Sequence, residues 1–438
     1  MKILITSDWY YPVVNGVVRS VLNLKEYLES KGHEVRVLTL SNTLMSYKSD
    51  DVYYIGSLSA KKIYPEARIT NILANTHLRS IKKWEPDIIH SQCEFSTFMM
   101  AKTLSKMINI PLIHTYHTVY EDYTHYFTTN KKAGVKIVAK FSKALSDMCD
   151  YFIAPTAKTA GILESYNIGE EKIAVIPTGV HIPDLYDKEK LRDELKIDKD
   201  KKILLYLGRL AEEKNIEEII QYYDKLDDPS IEFLIVGGGP HLNKLIDYSK
   251  NFKNRANFIG MVDPSEVNKY YQAADIFTTA STSETQGLTY YEALSNGTVA
   301  ICRSDESLKG VIKNGFNGFC YDDYDQFKAY IYQVLDDEDL KNKLRENARA
   351  YALDNFSVQS FGSKCEALYE KAVNEYDYES PFIYKRLWNS KGIWRWKGHR
   401  PPNQGFDKGR MWLHPRWYGR LWYSSHKHSL SQICCLCL

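Results

Sequence analysis

The stretch Ser281-Thr-Ser-Glu-Thr-Gln-Gly-Leu-Thr-Tyr-Tyr-Glu-Ala-Leu294 places two carboxylates, Glu284 and Glu292, eight residues apart around one glycine, Gly287. The run Ile276 to Ala280 before it is strand-like, and the residues after Gly287 have helical character. A strand end, a glycine turn and a helix start in succession put Glu284 in a loop and Glu292 inside the helix. The same order leaves the backbone N–H groups of Gln286, Gly287 and Leu288 free to point at an anion. Such a segment can hold a diphosphate by its backbone and hydroxyl groups by its carboxylates. A solvated loop glutamate followed by a surface helix glutamate would be spelled the same way, so the rest of the chain has to decide.

On both sides of this stretch, short apolar strands alternate with helices. In the same half, Lys202 to Gly208, Ile231 to Val236 and Val299 to Arg303 read as strands. Asn215-Ile-Glu-Glu218 reads as an N-cap with an acid three residues on, opening a helix to Leu226, and Asp263-Pro-Ser-Glu266 as a second capped start. In the first half, Lys2 to Thr6, His33 to Leu40, Asp87 to His90, Pro111 to His114, Tyr151 to Ala154 and Ile173 to Ile176 read as strands, and Val17 to Ser30 as a helix closed by Gly32. Repeated β-then-α units imply parallel sheets covered on both faces. Thr178-Gly-Val-His-Ile-Pro183 breaks the rhythm and is the expected linker. The expected fold is therefore α/β, two Rossmann-like doubly wound domains facing a cleft. They span residues 1–180 and 181–357, followed by a crossover helix at 358–378 and a tail at 379–438. Ligands in such sheets bind beyond the carboxyl ends of the strands.

At 438 residues the chain has room for two cores, and 44% hydrophobic and 26% charged residues are ordinary for a globular protein. A net charge of +2 points to no polyanion, and no nucleic-acid partner is expected. That balance conceals a tail, residues 381–438, with eleven Lys or Arg against one acid, Asp407, and six of the eight tryptophans. The eight cysteines show no metal-site or disulfide-framework spacing. Met1-Lys-Ile-Leu-Ile-Thr opens directly on a strand, and no apolar run reaches the roughly 18 residues a membrane span needs. The expected location is cytoplasmic, with any membrane contact peripheral.

Four further stretches fall at strand ends. Pro12-Val-Val-Asn-Gly16 precedes the first helix and lets a ligand approach the backbone at Gly16, though one glycine makes a turn as readily as a phosphate cradle. Gly208-Arg-Leu-Ala-Glu-Glu-Lys214 brings Arg209 and Lys214 to one spot, which suits a diphosphate; pairing with Glu212 and Glu213 is the alternative. Gly237-Gly-Gly is a tight turn or a bare-backbone floor for a ligand. His114-Thr-Tyr-His-Thr-Val-Tyr-Glu-Asp-Tyr-Thr-His125 offers a polar wall for a sugar, its histidine spacing matching no familiar metal pair.

Pro-x-x-Asn-Gly, Gly-Arg-Leu-x-x-x-Lys-Asn, Gly-Gly-Gly-Pro and Ser-Glu-Thr-x-Gly-Leu-x-x-x-Glu-Ala together resemble the retaining glycosyltransferases of family GT4, with the GT-B fold, over about residues 1–376. Its most specific part is the E-x7-E signature from Glu284 to Glu292. The motif from His114 is similar to that of bacterial diacylglycerol α-glucosyltransferases. The resemblance implies that Arg209 and Lys214 hold the donor diphosphate, and that Glu292 takes the ribose hydroxyls. It implies that Glu284, with the Thr285, Gln286, Gly287 and Leu288 backbone, contacts the donor sugar and phosphate. Gly16 would abut the diphosphate from the other domain, Gly237 and Gly238 would line the donor, and His117 would touch the sugar at the reaction centre. The donor would be a UDP-sugar such as UDP-glucose, with no cofactor and no essential metal. A two-carboxylate glycosidase is the chemical competitor, but hydrolysis needs no Arg/Lys diphosphate clamp. A non-catalytic partner of the same fold would be marked by loss of Glu284, Glu292, Arg209 or Lys214, and all four are present.

The acceptor expected from the resemblance is a diacylglycerol-type lipid, with a polysaccharide, protein or teichoic acid as the alternative. Lys131-Lys-Ala-Gly-Val-Lys-Ile-Val-Ala-Lys-Phe-Ser-Lys-Ala-Leu145 carries Gly134, Ile137, Val138, Phe141, Ala144 and Leu145 on one stripe. Lys131, Lys132, Lys136, Lys140 and Lys143 fall largely elsewhere. This suits a helix lying on the anionic inner face of a membrane, at about 1 kcal/mol per well-placed cation. It equally suits a helix packed on its own sheet. The tail's tryptophans and cations add a second headgroup-seeking surface, unless the tail is an unselected extension. Oligomeric state is left open.

Overall fold

The computed structural model describes residues 1–13, 15–60, 68–70, 76–121, 130–377, 384–388 and 394–398, the side chains of Lys131 and of the last two stretches excepted. The first half contains β1 (Lys2–Thr6), β2 (Glu34–Leu40), β3 (Tyr47–Ser49), β4 (Val52–Ile55), the ribbon β5 (Leu58–Ser59) and β6 (Arg68–Ile69), β7 (Ile88–Ser91), β8 (Leu112–Thr115), β9 (Tyr151–Ala154) and β10 (Ile173–Val175). Its helices are α1 (Gly16–Ser30), α2 (Thr76–Trp84), α3 (Ser96–Ile108), α4 (Lys131–Ser146) and α5 (Ala157–Ser165). An eight-stranded sheet runs β10-β9-β8-β7-β1-β2-β4-β3 and is parallel except for its edge strand β3.

The second half contains α6 (Lys188–Leu195), β11 (Lys202–Leu207), α7 (Ile216–Leu226), β12 (Ile231–Val236), α8 (Leu242–Ser249), β13 (Asn257–Gly260), α9 (Val267–Ala273), β14 (Ile276–Thr279), α10 (Leu288–Ser295), β15 (Val299–Arg303), β16 (Gly318–Tyr321), α11 (Tyr324–Leu335) and α12 (Glu338–Phe356). Its six strands are all parallel, in the order β13-β12-β11-β14-β15-β16. Ile203, Leu204, Leu205, Phe233, Leu234, Ile235, Ile276 and Phe277 are buried, as strands covered on both faces must be.

The helix α13 (Val358–Glu375) returns to the first half. Val358, Phe361, Cys365, Leu368, Tyr369 and Ala372 recur at helical spacing and pack into one core with Ile3, Ile5, Val21, Leu24 and Tyr27. The chain thus crosses between halves twice, and the crossings touch. Val180 N–H donates to the Phe356 carbonyl (2.8 Å), and Val358 N–H donates to the Val180 carbonyl (3.1 Å). Beyond α13, β17 (Tyr384–Trp388) and β18 (Trp394–Gly398) pair as an antiparallel hairpin. The other tail residues lie outside the described ones.

Two helix starts differ from expectation. Asn215 stands in the left-handed region (φ 49°) and makes no side-chain cap; its amide donates instead to Glu218 Oε2 (2.9 Å). Asp263 accepts from the backbone and hydroxyl of Ser265 (2.9 and 2.5 Å), which spends it on a turn, and α9 begins only at Val267. Helix α3 shows the reverse case. Its own cap residue Phe95 has no side-chain acceptor, and Asp8, at the end of β1, accepts the Thr97 N–H at 2.8 Å.

Burial pushes the Asp8 carboxyl up to about 6, with Glu94 adding to the rise and the Thr97 bonds opposing it. The folded state therefore holds this proton more tightly than the unfolded chain. Stability from this group is full below about pH 4 and is lost as pH rises through about 6. Asp8→Asn keeps the acceptor for Thr97 and removes the ionisation. Urea unfolding should show the variant gaining up to about 3 kcal/mol relative to the parent between pH 4 and pH 7; parallel pH profiles would refute this.

Candidate active site in the cleft

The strand β14 is buried throughout and delivers the 280–287 loop to the cleft. Gly287 turns the chain at φ 71°, and a Cβ there would stand 2.3 Å from Tyr290 Cε2, so this left-handed corner excludes side chains. Helix α10 starts at Leu288, so its first N–H groups have no intrahelical acceptor. Glu284 lies in the loop and Glu292 in the helix, as the spacing predicts.

The first half grips this loop. Gln286 Oε1 accepts the Thr178 N–H (3.0 Å), and its Nε2 donates to the Thr178 carbonyl (2.9 Å). Thr285 Oγ1 accepts from Val119 N–H (3.3 Å), while its carbonyl accepts from Thr156 Oγ1 (3.0 Å) and Thr159 Oγ1 (3.4 Å). Lys158 donates to the Thr282 carbonyl (3.3 Å) and pairs with Asp305 (3.0 Å). The side chains of Thr285 and Gln286 therefore fasten the halves together, and what they offer a donor is backbone.

The carboxylates are each paired with a cation. Lys214 Nζ donates to Glu284 Oε1 at 2.6 Å, both side chains being under one-fifth exposed. Glu292 Oε1 lies 3.7 Å from Arg19 Nη1, and its Oε2 accepts the Tyr271 hydroxyl at 3.2 Å. Burial raises the Glu292 carboxyl, with Arg19 and Tyr271 opposing the shift. Arg19 was not among the expected residues. It stands one turn after Gly16 on α1, and a Cβ at Gly16 would lie 3.5 Å from Leu288 Cδ1, so this face of α1 looks at α10. Helical spacing from Gly16 was the available signal. Arg209 is exposed at the carboxyl end of β11, with its carbonyl accepting the Tyr206 hydroxyl (3.0 Å).

The glycine turn has a structural reason of its own. At Gly237 (φ 135°) a Cβ would fall 2.0 Å from the Gly208 carbonyl oxygen, because the ends of β11 and β12 stay hydrogen-bonded through Gly208 N–H to Val236 O (3.0 Å) and Leu210 N–H to Gly238 O (2.9 Å). At Gly238 a Cβ would meet only the exposed Met261 side chain.

The polar wall is smaller than its spelling. His114 is fully buried, edge-on to Phe98 and Phe152 (5.2 and 5.1 Å), with both ring nitrogens lacking hydrogen bonds and Glu94 at 3.7 Å. Tyr116 is buried and bonded to Ser142 (3.0 Å), and residues 122–129, including His125, lie outside the described ones. His117 remains, half-buried beyond β8, its Nε2 2.6 Å from Gln92 Oε1. Burial, then nearby His114, lowers it to about 3, so the ring is neutral near pH 7. Among the described residues, no group of three or more His, Cys, Asp or Glu could hold a metal ion.

Helix α4 turns Val138 and Leu145 into the core of its own half, and Phe141 packs half-buried against Phe95 (6.4 Å) and Tyr120 (6.3 Å). The apolar stripe thus belongs to the protein. Lys143 pairs with Asp147 (2.7 Å), whereas Lys132, Lys136 and Lys140 form an exposed row at four-residue intervals. No helix of the described residues is long and apolar enough to cross a membrane.

Comparison with known proteins matches the two halves separately. The Glycosyltransferase Family 4 profile covers residues 14–182, and that of Glycosyl transferases group 1 covers 187–351. The chain is similar to an alpha-monoglucosyldiacylglycerol synthase of Acholeplasma laidlawii, 31% identical over 86% of this chain and 98% of the relative. It is similar also to a Streptococcus pneumoniae synthase of the same name, 32% identical over 85% and 86%. Among solved structures, Anabaena HepE in complex with UDP superposes with a TM-score of 0.65 at 16% identity, covering 84% of this chain and 99% of that one. The two Rossmann-like halves and their cleft are the GT-B fold.

Glu292→Gln separates stability from function. Because burial raises this carboxyl, ionising it is unfavourable to the fold, and stability is lost as pH rises through its folded value. The neutral amide still accepts from Tyr271. The variant should melt higher than the parent at neutral pH while binding a nucleotide sugar more weakly, measured by thermal unfolding and calorimetry. A lower melting temperature would refute the assignment.

Proposed function

The chain belongs to the GT4 glycosyltransferases, nucleotide-sugar-dependent hexosyltransferases of the GT-B fold, and from that premise we propose that it moves a glucosyl unit from UDP-glucose to a diacylglycerol-type membrane lipid with retention of the α configuration. The observation that carries the reading is the two ion pairs flanking the start of α10, Lys214–Glu284 within the second half and Arg19–Glu292 across the cleft. A nucleotide diphosphate laid over that helix start meets free N–H groups and both lysine and arginine charge. Its sugar and ribose hydroxyls then replace the cations as partners of Glu284 and Glu292. The relatives named as glucosyldiacylglycerol synthases, aligned over most of this chain, support the donor and acceptor.

In the reaction the bond between the sugar C1 and the β-phosphate oxygen breaks, and a bond from C1 to the acceptor hydroxyl oxygen forms. The acceptor proton passes to the departing phosphate oxygen on the same face. Arg209 and Lys214 stabilise the charge that develops on that phosphate, where preorganised cations act most strongly. His117 contacts the sugar near the reacting carbon. Gly16 abuts the diphosphate from the first half, and Gly237 and Gly238 border the donor. The exposed row Lys132, Lys136 and Lys140 draws the enzyme to the anionic inner face of the membrane without inserting the helix.

UDP release from UDP-glucose should be stimulated by diacylglycerol. Turnover indifferent to lipid would overturn the acceptor, and none with any sugar nucleotide would overturn the transferase. Replacing Lys132, Lys136 and Lys140 together by Glu should weaken binding to anionic vesicles by on the order of 100-fold and leave detergent-dispersed turnover intact. Unchanged vesicle binding would remove α4 from the membrane contact.

A further inference from the structure

A buried polar chain runs from the crossover helix to the cleft. Tyr369 on α13 places its hydroxyl 2.6 Å from His90 Nδ1, and the other ring nitrogen, Nε2, lies 2.7 Å from Thr115 Oγ1 on β8. Gln92 Nε2 sits 3.4 and 3.2 Å from the two nitrogens of the same ring. On its other side, Gln92 Oε1 accepts from Ser20 Oγ of α1 (3.3 Å) and lies 2.6 Å from His117 Nε2. Tyr369, His90 and Gln92 have no solvent exposure, and Ser20 and Thr115 have almost none. The backbone of Gln92 is held too, its N–H donating to the Thr6 carbonyl of β1 (2.8 Å).

An amide oxygen can only accept. A ring nitrogen 2.6 Å from it must therefore carry the hydrogen. In this arrangement the Ser20 hydroxyl donates to the same oxygen, and the amide nitrogen lies 3.2 Å from His90 Nε2. In a neutral imidazole the hydrogen on Nε2 leaves Nδ1 as a lone pair. We propose that Gln92, braced by Ser20, His90 and Tyr369, is a positioning residue that holds His117 as its Nε2–H tautomer and so presents Nδ1 as a hydrogen-bond acceptor to a hydroxyl of the transferred sugar. This rests on His117 facing the sugar. A sugar hydroxyl donating to Nδ1 is oriented by a base that cannot itself donate, and the opposite tautomer would turn this acceptor into a donor. The crossover helix is thereby a supporting wall of the active site, since Tyr369 closes the chain at its far end.

Nitrogen-15 NMR of histidine-labelled full-length protein reads the tautomer without turnover. The His117 signals, assigned by their loss in His117→Ala, should show Nε2 protonated and Nδ1 not; the reverse pattern overturns the proposal. Gln92→Leu should mix the tautomers and lower kcat on the order of tenfold or more with little change in donor KM. Gln92→Glu, which keeps the acceptor oxygen, should restore Nε2 protonation. Gln92→Leu with an unaltered His117 spectrum refutes the bracing role, even if activity falls. Tyr369→Phe keeps the shape and deletes the end of the chain, so it should move the spectrum in the same direction as Gln92→Leu, more weakly; no movement removes the crossover helix from the network. His117→Ala with full turnover would instead sink the sugar-facing role, leaving the tautomer result standing.

Discussion

The double crossing at Val180 and Ser357 constrains everything else in this molecule. The linker and the return segment lie side by side as a bridged pair, with Val180 bonded on both its N–H and its carbonyl. Asn23 of α1 adds a bond to the Gly179 carbonyl (2.8 Å). A hinge made of two bonded strands bends more readily than it shears. Two residues before the bridge, Thr178 is clamped by Gln286, so the donor loop is fixed to the hinge itself. Glu284 stands two residues from that clamp.

Both carboxylates of the cleft are held in ion pairs, at 2.6 Å with a lysine and 3.7 Å with an arginine, while Arg209 stands exposed. A bare phosphate would have to part both pairs while giving the carboxylates nothing in return. On the proposed function, a nucleotide sugar would bring the diphosphate for the cations and the hydroxyls for the acids on one molecule. Selectivity of this kind comes from unpaired groups left behind by the wrong ligand rather than from extra attraction to the right one.

Much of this was legible in the letters, and the rest failed for local physical reasons. The buried parallel strands β1, β11, β12 and β15 are largely apolar runs and β2 alternates, so their positions could be read within a residue. The short strands β3 to β6, β13 and β16 could not, being brief or exposed at sheet edges. Glu284 and Glu292 were found by spacing across a glycine. Arg19 was missed because its partner lies in the other half, 273 residues away in sequence; its spacing from Gly16 marks the face of α1 but does not name that partner. His114 was over-read. Residue type alone does not tell a ring facing a sugar from one wedged between Phe98 and Phe152. The lysine helix was read as two-faced, and packing decided which face the protein keeps.

The helix α13 shows why the first half is not a free-standing unit. It follows the second half in sequence, yet Phe361, Cys365, Leu368 and Tyr369 fill the core of the first. Removing it would expose Ile3, Ile5, Val21 and Leu24, each fully buried, and burial of one such side chain is worth roughly 1.5–3 kcal/mol. For the four together that is roughly 6–12 kcal/mol, comparable to the whole stability of a typical domain. The same helix supplies the hydroxyl that ends the buried chain to His117. A segment that joins the halves, seals one core and supports the site cannot drift in one role without disturbing the others. This binds the geometry of the cleft to the presence of both halves.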